Sequence, residues 1–399
     1  MRLFSWLQER ITGRPRARRA PARGPALRFR PHLESLEERL VPSFTPVTPY
    51  AMGTAPHAVV TADVNGDGKP DLVTLSNSFG VSAITVRLNK GNGKFGSPQV
   101  SYDFVNNIDT ALAVGDVNGD GKADLVLGQA SNGGSYTAGT YIGSISVLLG
   151  NGTGHFTYAS TYYVLQDVSN ITSLALADVN GDGRLDVVGA AGGRVFATLN
   201  DGSGRDWAPA HTYSDPTAQA AGGLSLQVAV GDITGDGKLD IVAAGYGTVC
   251  VYQNLGGGTF GTAQTYAAGG SATSVALGDF NGDGKLDVVT ANTNGTVSVL
   301  AGQGNGTFGA VQNHAIGGPA SSVALGDFNH DGKIDIVTTG GTEMDVLLNT
   351  GSGAFAAYQK VGSAGSSIVA ADFNGDGYAD LAEVATSTSI DVLLNNAKW

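Results

Sequence analysis

Residues 63–71 read DVNGDGKPD, and the same nonapeptide returns six more times along the chain. The later copies are DVNGDGKAD at 116–124, DVNGDGRLD at 178–186, DITGDGKLD at 232–240, DFNGDGKLD at 279–287, DFNHDGKID at 327–335 and DFNGDGYAD at 372–380. Successive copies start 53, 62, 54, 47, 48 and 45 residues apart. A fixed period of this kind is read before anything else, because it decides the architecture. Around each copy the frame is constant. An apolar alternation such as SVALG precedes it, another such as LDVVTAN follows, and a third ends in Leu-Asn or Leu-Gly. A Gly-rich turn then closes on an aromatic: GNGKF, GNGTGHF, GGGTF, GNGTF and GSGAF, with Trp207 in that position in the third repeat. A fourth extended stretch follows, as in FGTAQTYAAGG from Phe260.

Short runs of Val, Ile, Thr, Tyr and Ala that alternate at period two between Gly, Asn and Asp read as strands. Four strands in a period near 50 residues make one propeller blade. The fold expected is all-β, a seven-bladed β-propeller with four antiparallel strands per blade. No repeat carries the three-to-four-residue apolar spacing of a helical solenoid. The last copy ends after its third strand, IDVLLNN, whereas Phe44 stands 19 residues before Asp63, as Phe260 stands 19 before Asp279. Residues 44 to about 51 are therefore expected to supply the outer strand of the last blade and close the ring, leaving no open edge. Two segments result: 1–43, and a propeller over 44–399.

Composition agrees with this division. Of 399 residues 60 are Gly, and 15% are charged, against about 25% in an average soluble domain. The formal charge of −12 is a sum of opposites: residues 1–43 hold ten Arg and four Glu, for +6, and the remainder carries −18. A lone Cys, Cys250, excludes an intramolecular disulfide framework. No apolar run approaches the roughly 20 residues that a membrane-spanning helix needs.

The nonapeptide itself points to a cation. Position 1 is Asp63, Asp116, Asp178, Asp232, Asp279, Asp327 and Asp372; position 5 is Asp67, Asp120, Asp182, Asp236, Asp283, Asp331 and Asp376. Position 9 is Asp71, Asp124, Asp186, Asp240, Asp287, Asp335 and Asp380. Asn65, Asn118, Asn180, Asn281, Asn329 and Asn374 hold position 3, with Thr234 in the fourth copy. Position 7, after a turn-making Gly, offers its backbone carbonyl from Lys69, Lys122, Arg184, Lys238, Lys285, Lys333 or Tyr378. Three carboxylates within nine residues repel one another unless a cation lies among them. Oxygen donors alone, six to eight in a flexible shell, suit Ca²⁺; Mg²⁺ demands a stricter octahedron. With no His or Cys at these positions, Zn²⁺ and Cu are poor candidates. An EF-hand would need Glu at position 12, and after residue 43 the only glutamates are Glu343 and Glu383. One Ca²⁺ per blade, up to seven, is expected, with the Thr234 site among the weakest. The alternative is a metal-free tight turn, for which Asp-Gly is a common signal. It accounts for one dipeptide per copy and leaves the remaining carboxylates unexplained.

The pairing of D-x-N-x-D-G-x-x-D loops with Gly-x-Gly-x-Phe turns resembles the FG-GAP, or VCBS, repeat family, which includes the propeller of integrin α subunits. That resemblance implies a seven-bladed propeller with Ca²⁺ in the loop between the first and second strands of a blade, on one face. It implies partner recognition, of protein or polysaccharide, on the opposite face. There the connections vary most: QASNGGSYTAGTYIG at 129–143, with Tyr136 and Tyr141, and YSDPTAQAAGGLSL from Tyr213. The Arg-rich start, ending LESLEERLVPS at Ser43, lacks the apolar core of an ordinary signal peptide. It resembles the N-terminal segment of exported planctomycete proteins, implying targeting or processing and an extracellular or cell-surface location. Disorder to about residue 30 and a short helix near Leu33 to Leu40 are expected. A nucleic-acid-binding arm or a plain tail are the competing readings, and the acidic body disfavours the first.

The six His residues are scattered, at 32, 57, 155, 211, 314 and 330, and no nucleophile, metalloprotease or phosphate-loop motif occurs. Cys250 falls at a strand position held by Ser298 and Asp345 in other repeats, which reads as structural. The expectation is a non-catalytic, monomeric, exported calcium-binding propeller contacting protein or glycan. The alternative is a carbohydrate-active lyase or hydrolase working from the opposite face. Converging His, Tyr or Arg at the channel mouth would favour the enzyme; a mouth of Gly, Ala, Ser and Thr would favour binding.

Overall fold

A computed structural model describes residues 43–78, 81–103, 108–130, 142–166, 170–214, 226–341 and 343–396. The chain divides into Met1–Arg39 and Leu40–Trp399, and every described residue lies in the second unit. The expected helix near Leu33 to Leu40, the tyrosines Tyr136 and Tyr141 and most of the 213–226 stretch fall outside the described residues.

The first blade sets the pattern. Strand β1 (Thr48–Ala51) precedes β2 (Pro56–Ala62), β3 (Asp71–Ser78), β4 (Val81–Arg87) and β5 (Gln99–Asp103). The last four form one antiparallel sheet in that order, joined from β2 to β3 by the nonapeptide loop. Six further four-stranded antiparallel sheets follow, and no helix occurs among the described residues. The first strands of consecutive blades touch in a closed circle, the last meeting β2. β1 closes the ring, pairing with Ser389–Leu393 from Thr48 opposite Val392 to Ala51 opposite Ser389. Phe44 bridges Asn395, and Thr45 N donates to Leu394 O at 2.7 Å. Closure by a strand from the other end of the body was legible in the 19-residue spacing.

Burial varies from hub to rim. Second strands such as Asp287–Asn292 are buried at every position, as a strand packed on both faces must be. Outer strands such as Gln264–Ala267 are largely exposed. The apolar core is not central: it is seven layers, one between each pair of neighbouring blades. The closing layer brings Met52, Val59, Leu72 and Phe95 against Phe373, Ala382, Ile390 and Val392. Each of the larger side chains among them contributes about 1.5–3 kcal/mol on burial. The turn aromatics serve these layers: the Phe95 ring lies 5.5 Å from Phe373 of the neighbouring blade, edge-on. Hydroxyls stitch the hub, with Thr110 Oγ1 donating to Ile171 O at 2.6 Å and Thr172 Oγ1 to Leu226 O at 2.8 Å.

Candidate metal loops and the opposite face

All seven nonapeptides lie at the same end of their blades, between first and second strands. The sequence folds them through carboxylate-to-amide bonds. In the first, Asp63 Oδ1 accepts from Gly66 N at 2.7 Å and Asp67 N at 3.1 Å, and Oδ2 accepts from Gly68 N at 2.7 Å. Gly66 and Gly68 have φ of +76° and +80°, a region costly for other residues. The second, third, fourth, fifth and seventh loops repeat the three bonds. In the sixth, His330 stands at the first of these positions with φ +58°. Its ring is 4.8 Å from that of Tyr378 in the next loop, so this exposed residue has a ring partner as well as solvent. Asn65 Oδ1 accepts from Asp67 N at 2.9 Å, as the other position-3 asparagines do in their loops. Thr234 instead places its hydroxyl 3.4 Å from Asp232.

Position 9 is a buried hub. Asp71 Oδ2 accepts from Val64 N at 3.1 Å and Oδ1 from Asn89 N at 2.6 Å. The counterparts Asp124, Asp186, Asp240, Asp287, Asp335 and Asp380 make the same two bonds and are fully buried. Where the third strand ends in Asn, its amide locks two blades. Asn254 Nδ2 donates to Val179 O of the preceding blade at 2.8 Å and to Leu239 O at 2.9 Å. Asn89, Asn200, Asn349 and Asn395 repeat this. In two blades Gly150 and Gly302 take the place of Asn, and only the amide-to-Asp bond is kept.

Burial pushes the position-9 carboxyls above the usual aspartate value, to about 6 for Asp71 and Asp186 and about 7 for Asp335 and Asp380. The charges at positions 1 and 5 add to the upward push. At position 7 the side chain takes a part unforeseen in the sequence. Lys69 Nζ lies 2.9 Å from Asp67, and Lys122, Arg184, Lys238, Lys285 and Lys333 pair with their own position-5 carboxylates at 2.6–3.5 Å. These exposed pairs are worth about 0–1 kcal/mol each. Tyr378 has no such charge. Among the described residues no three His, Cys, Asp or Glu side chains converge as a ready-made metal cage. The physical reason is that each carboxylate is turned onto amides or a neighbouring cation. The donor set fits a hard cation nevertheless. It is all oxygen, and in the first loop Asp63 Oδ2 and both Asp71 oxygens accept a single bond each and keep a lone pair to offer.

The sequence pointed to the opposite face through its variable connections, and gave no sign of the polar groups that line its crevices. There Gly317 N donates to Asp345 Oδ2 at 2.7 Å, and Gly365 N donates to Thr339 Oγ1 at 2.8 Å, which in turn donates to Glu383 Oε2 at 2.7 Å. Asp345 and Glu383 are buried in successive crevices between blades. Burial, with the Asp391 charge behind it, pushes Glu383 up to about 7. Cys250 is buried, its Sγ 3.6 Å from Thr265 Oγ1, a structural position as expected.

A family model described as FG-GAP-like repeat matches residues 63–127, 135–189, 178–243, 232–290, 279–338 and 327–382, and one described as FG-GAP repeat matches 110–148. The chain belongs to the FG-GAP-like repeat family. No curated protein matches it significantly. Among solved structures, an Agrocybe aegerita lectin that recognises non-reducing terminal N-acetylglucosamine is 26% identical, over 86% of each chain, with a TM-score of 0.56. BBS1N, in a complex with ARL6DN soaked with mercury, is 13% identical over 90% of this chain and 99% of its own, with a TM-score of 0.61. The second likeness speaks for the fold alone.

Proposed function

We propose that this chain is an exported, non-catalytic binding propeller: seven loops on one face each take a Ca²⁺, and the opposite face holds a glycan or protein ligand. The observation that carries the reading is the seven-fold repetition of one acidic, oxygen-only loop on a single face of a closed ring. Positions 1, 3, 5 and 9 and the position-7 carbonyl of each loop would hold the ion, which would supply the positive charge that three near carboxylates lack. Extracellular calcium modules bind at roughly 10⁻⁴–10⁻³ M, which matches the export inferred from the Arg-rich start. The lectin's likeness favours a glycan as the ligand.

The test is a glycan array probed with the full chain in 1 mM calcium, beside a reducing-end assay on the same polysaccharides. Retention on defined glycans, lost in chelator and without new reducing ends, is expected. Release of reducing ends would overturn the non-catalytic reading. No retention on any glycan would transfer the ligand to the protein class.

A further inference from the structure

The seven acidic loops share their oxygen donors but not their charge. In loops one to six position 7 is Lys or Arg, and three carboxylates with one cation leave a formal −2; in loop seven it is Tyr378, and the three carboxylates stand at −3. Charge count is one of the two properties by which calcium loops are tuned, the other being rigidity.

The six basic side chains are aimed. Each runs back over the Gly-rich turn that follows the third strand of its own blade, crossing Gly91, Gly152, Gly202, Gly256, Gly304 or Gly351. A Cβ at these glycines would stand 2.7–3.9 Å from the crossing Lys or Arg side chain. Their φ of +71° to +101° already favours Gly, and the stem uses the room that the missing Cβ leaves. The cation then ends on the outer oxygen of position 5. Asp67 Oδ1 accepts from Lys69 N at 3.0 Å, while Oδ2 faces Lys69 Nζ at 2.9 Å. The same division recurs at Asp120, Asp182, Asp236, Asp283 and Asp331.

Loop seven differs in both parts of this arrangement. The place of the crossed glycine is taken by Ala397, outside the described residues. Asp376 Oδ1 accepts from Tyr378 N at 3.0 Å as elsewhere, but Oδ2 accepts from the neutral Asn374 amide at 3.0 Å. Loop three has that amide contact too, from Asn180 to Asp182, with the Arg184 cation added to it. The Tyr378 ring lies against His330 of loop six.

We infer that the position-7 side chain sets the calcium affinity of each loop: six tethered cations weaken six sites, and the seventh, with Tyr378, is the tightest. The inference rests on the calcium reading above and goes beyond it by ranking the sites and naming the residue that ranks them. A cation held beside position 5 repels an incoming dication and already neutralises part of the carboxylate charge that would hold it. The arms are half-exposed, so the effect is modest, about fivefold in dissociation constant, the upper end of what one exposed charge pair supports.

Calcium titration of the full chain against a chromophoric chelator in low salt tests it. The wild-type chain is expected to show one site tighter than the rest. Tyr378→Lys is expected to weaken that site about fivefold, whereas Tyr378→Phe, which keeps a ring against His330 and adds no charge, is expected to titrate as wild type. Lys69→Gln is expected to tighten one of the weaker sites by a similar factor. These differences should vanish in 1 M salt, where the screening length is about 3 Å. Melting temperatures in chelator check that all variants fold alike. If the chain binds calcium but Tyr378→Lys titrates as wild type, or Tyr378→Phe weakens binding as much as Tyr378→Lys, the role of the position-7 charge is overturned and the calcium reading stands. A wild-type chain that takes up no calcium overturns both.

Discussion

The two faces of the ring are built by opposite rules. On the loop face seven nonapeptides repeat the same bonds, from Asp63 to Asp372 at position 1 and from Asp71 to Asp380 at position 9. On the other face three successive crevices carry three different polar groups: Ser298 beneath the fifth blade's connector at Gly269, Asp345 beneath the sixth's at Gly317, Glu383 beneath the seventh's at Gly365. The difference separates what a repeat preserves from what it leaves free. Loop chemistry is local to nine residues and is copied with them, whereas a crevice is assembled from two blades and changes whenever either does. Binding residues on a rigid scaffold concentrate in such variable connections.

Calcium removal is the strongest way to break the comparison, because only one face should respond. With free calcium at ten times its dissociation constant each site contributes about 1.4 kcal/mol, and seven on the order of 10 kcal/mol. Beside a typical total of about 5–15 kcal/mol, chelation is expected to lower the melting temperature steeply. A scan that superimposes with and without chelator would reduce the loops to metal-free turns.

Within the loop face, position 9 and position 5 should separate. Asp335→Ala leaves Phe328 N and Asn349 N buried without their acceptor, at about 1–3 kcal/mol each, and is expected to destabilise even in chelator. Asp331→Ala, which is exposed, is expected to matter only when calcium is present. Equal effects in chelator would show that position 9 is no more structural than position 5.

Asn254→Ala examines the blade lock. It strands Val179 O and Leu239 O, and a loss of about 1–3 kcal/mol in denaturant melts is expected. The matching change at Gly302, where no such amide exists, is Gly302→Ala. There a Cβ would press on Leu286 O, so any loss reports a clash rather than a missing bond.

The last comparison lies on the opposite face. Glu383 has a folded-state pKa of about 7 against an ordinary value of 4.5. A raised value favours the protonated form, so its stability contribution is complete below about 4.5 and is lost as pH rises through 7. Wild-type stability is expected to fall by about 1–3 kcal/mol across that window from this group. Glu383→Gln should flatten that part of the profile in urea melts at pH 5 and pH 8. An identical slope in the variant would assign the loss to other carboxyls.

Much of the ring was written in the sequence because its information is periodic. The nonapeptide gave blade number, strand frame and, through Phe44, the closing strand at Thr48–Ala51. The position-9 aspartates were recognised as carboxylates, but not as fully buried hubs, since nothing in a nine-residue motif says that an amide 18 residues later will reach back to Asp71. The Leu-Asn ending of third strands was visible, and its role was not: Asn395 Nδ2 bonds Phe328 O, 67 residues away. Lys and Arg at position 7 were read for their carbonyls, yet their side chains lie close enough to the position-5 carboxylates to pair with them. Glu383 carried no signal at all, because it acquires its surroundings only when the sixth and seventh blades meet and Thr339 Oγ1, 44 residues away, donates to it.

The central claim, that the repeated loop is a calcium site, is tested most directly by counting the ions. Equilibrium dialysis of the chain against millimolar calcium, read by elemental analysis, is predicted to find seven calcium ions per chain, the Thr234 loop filling last. A chain that emerges with none bound would contradict it.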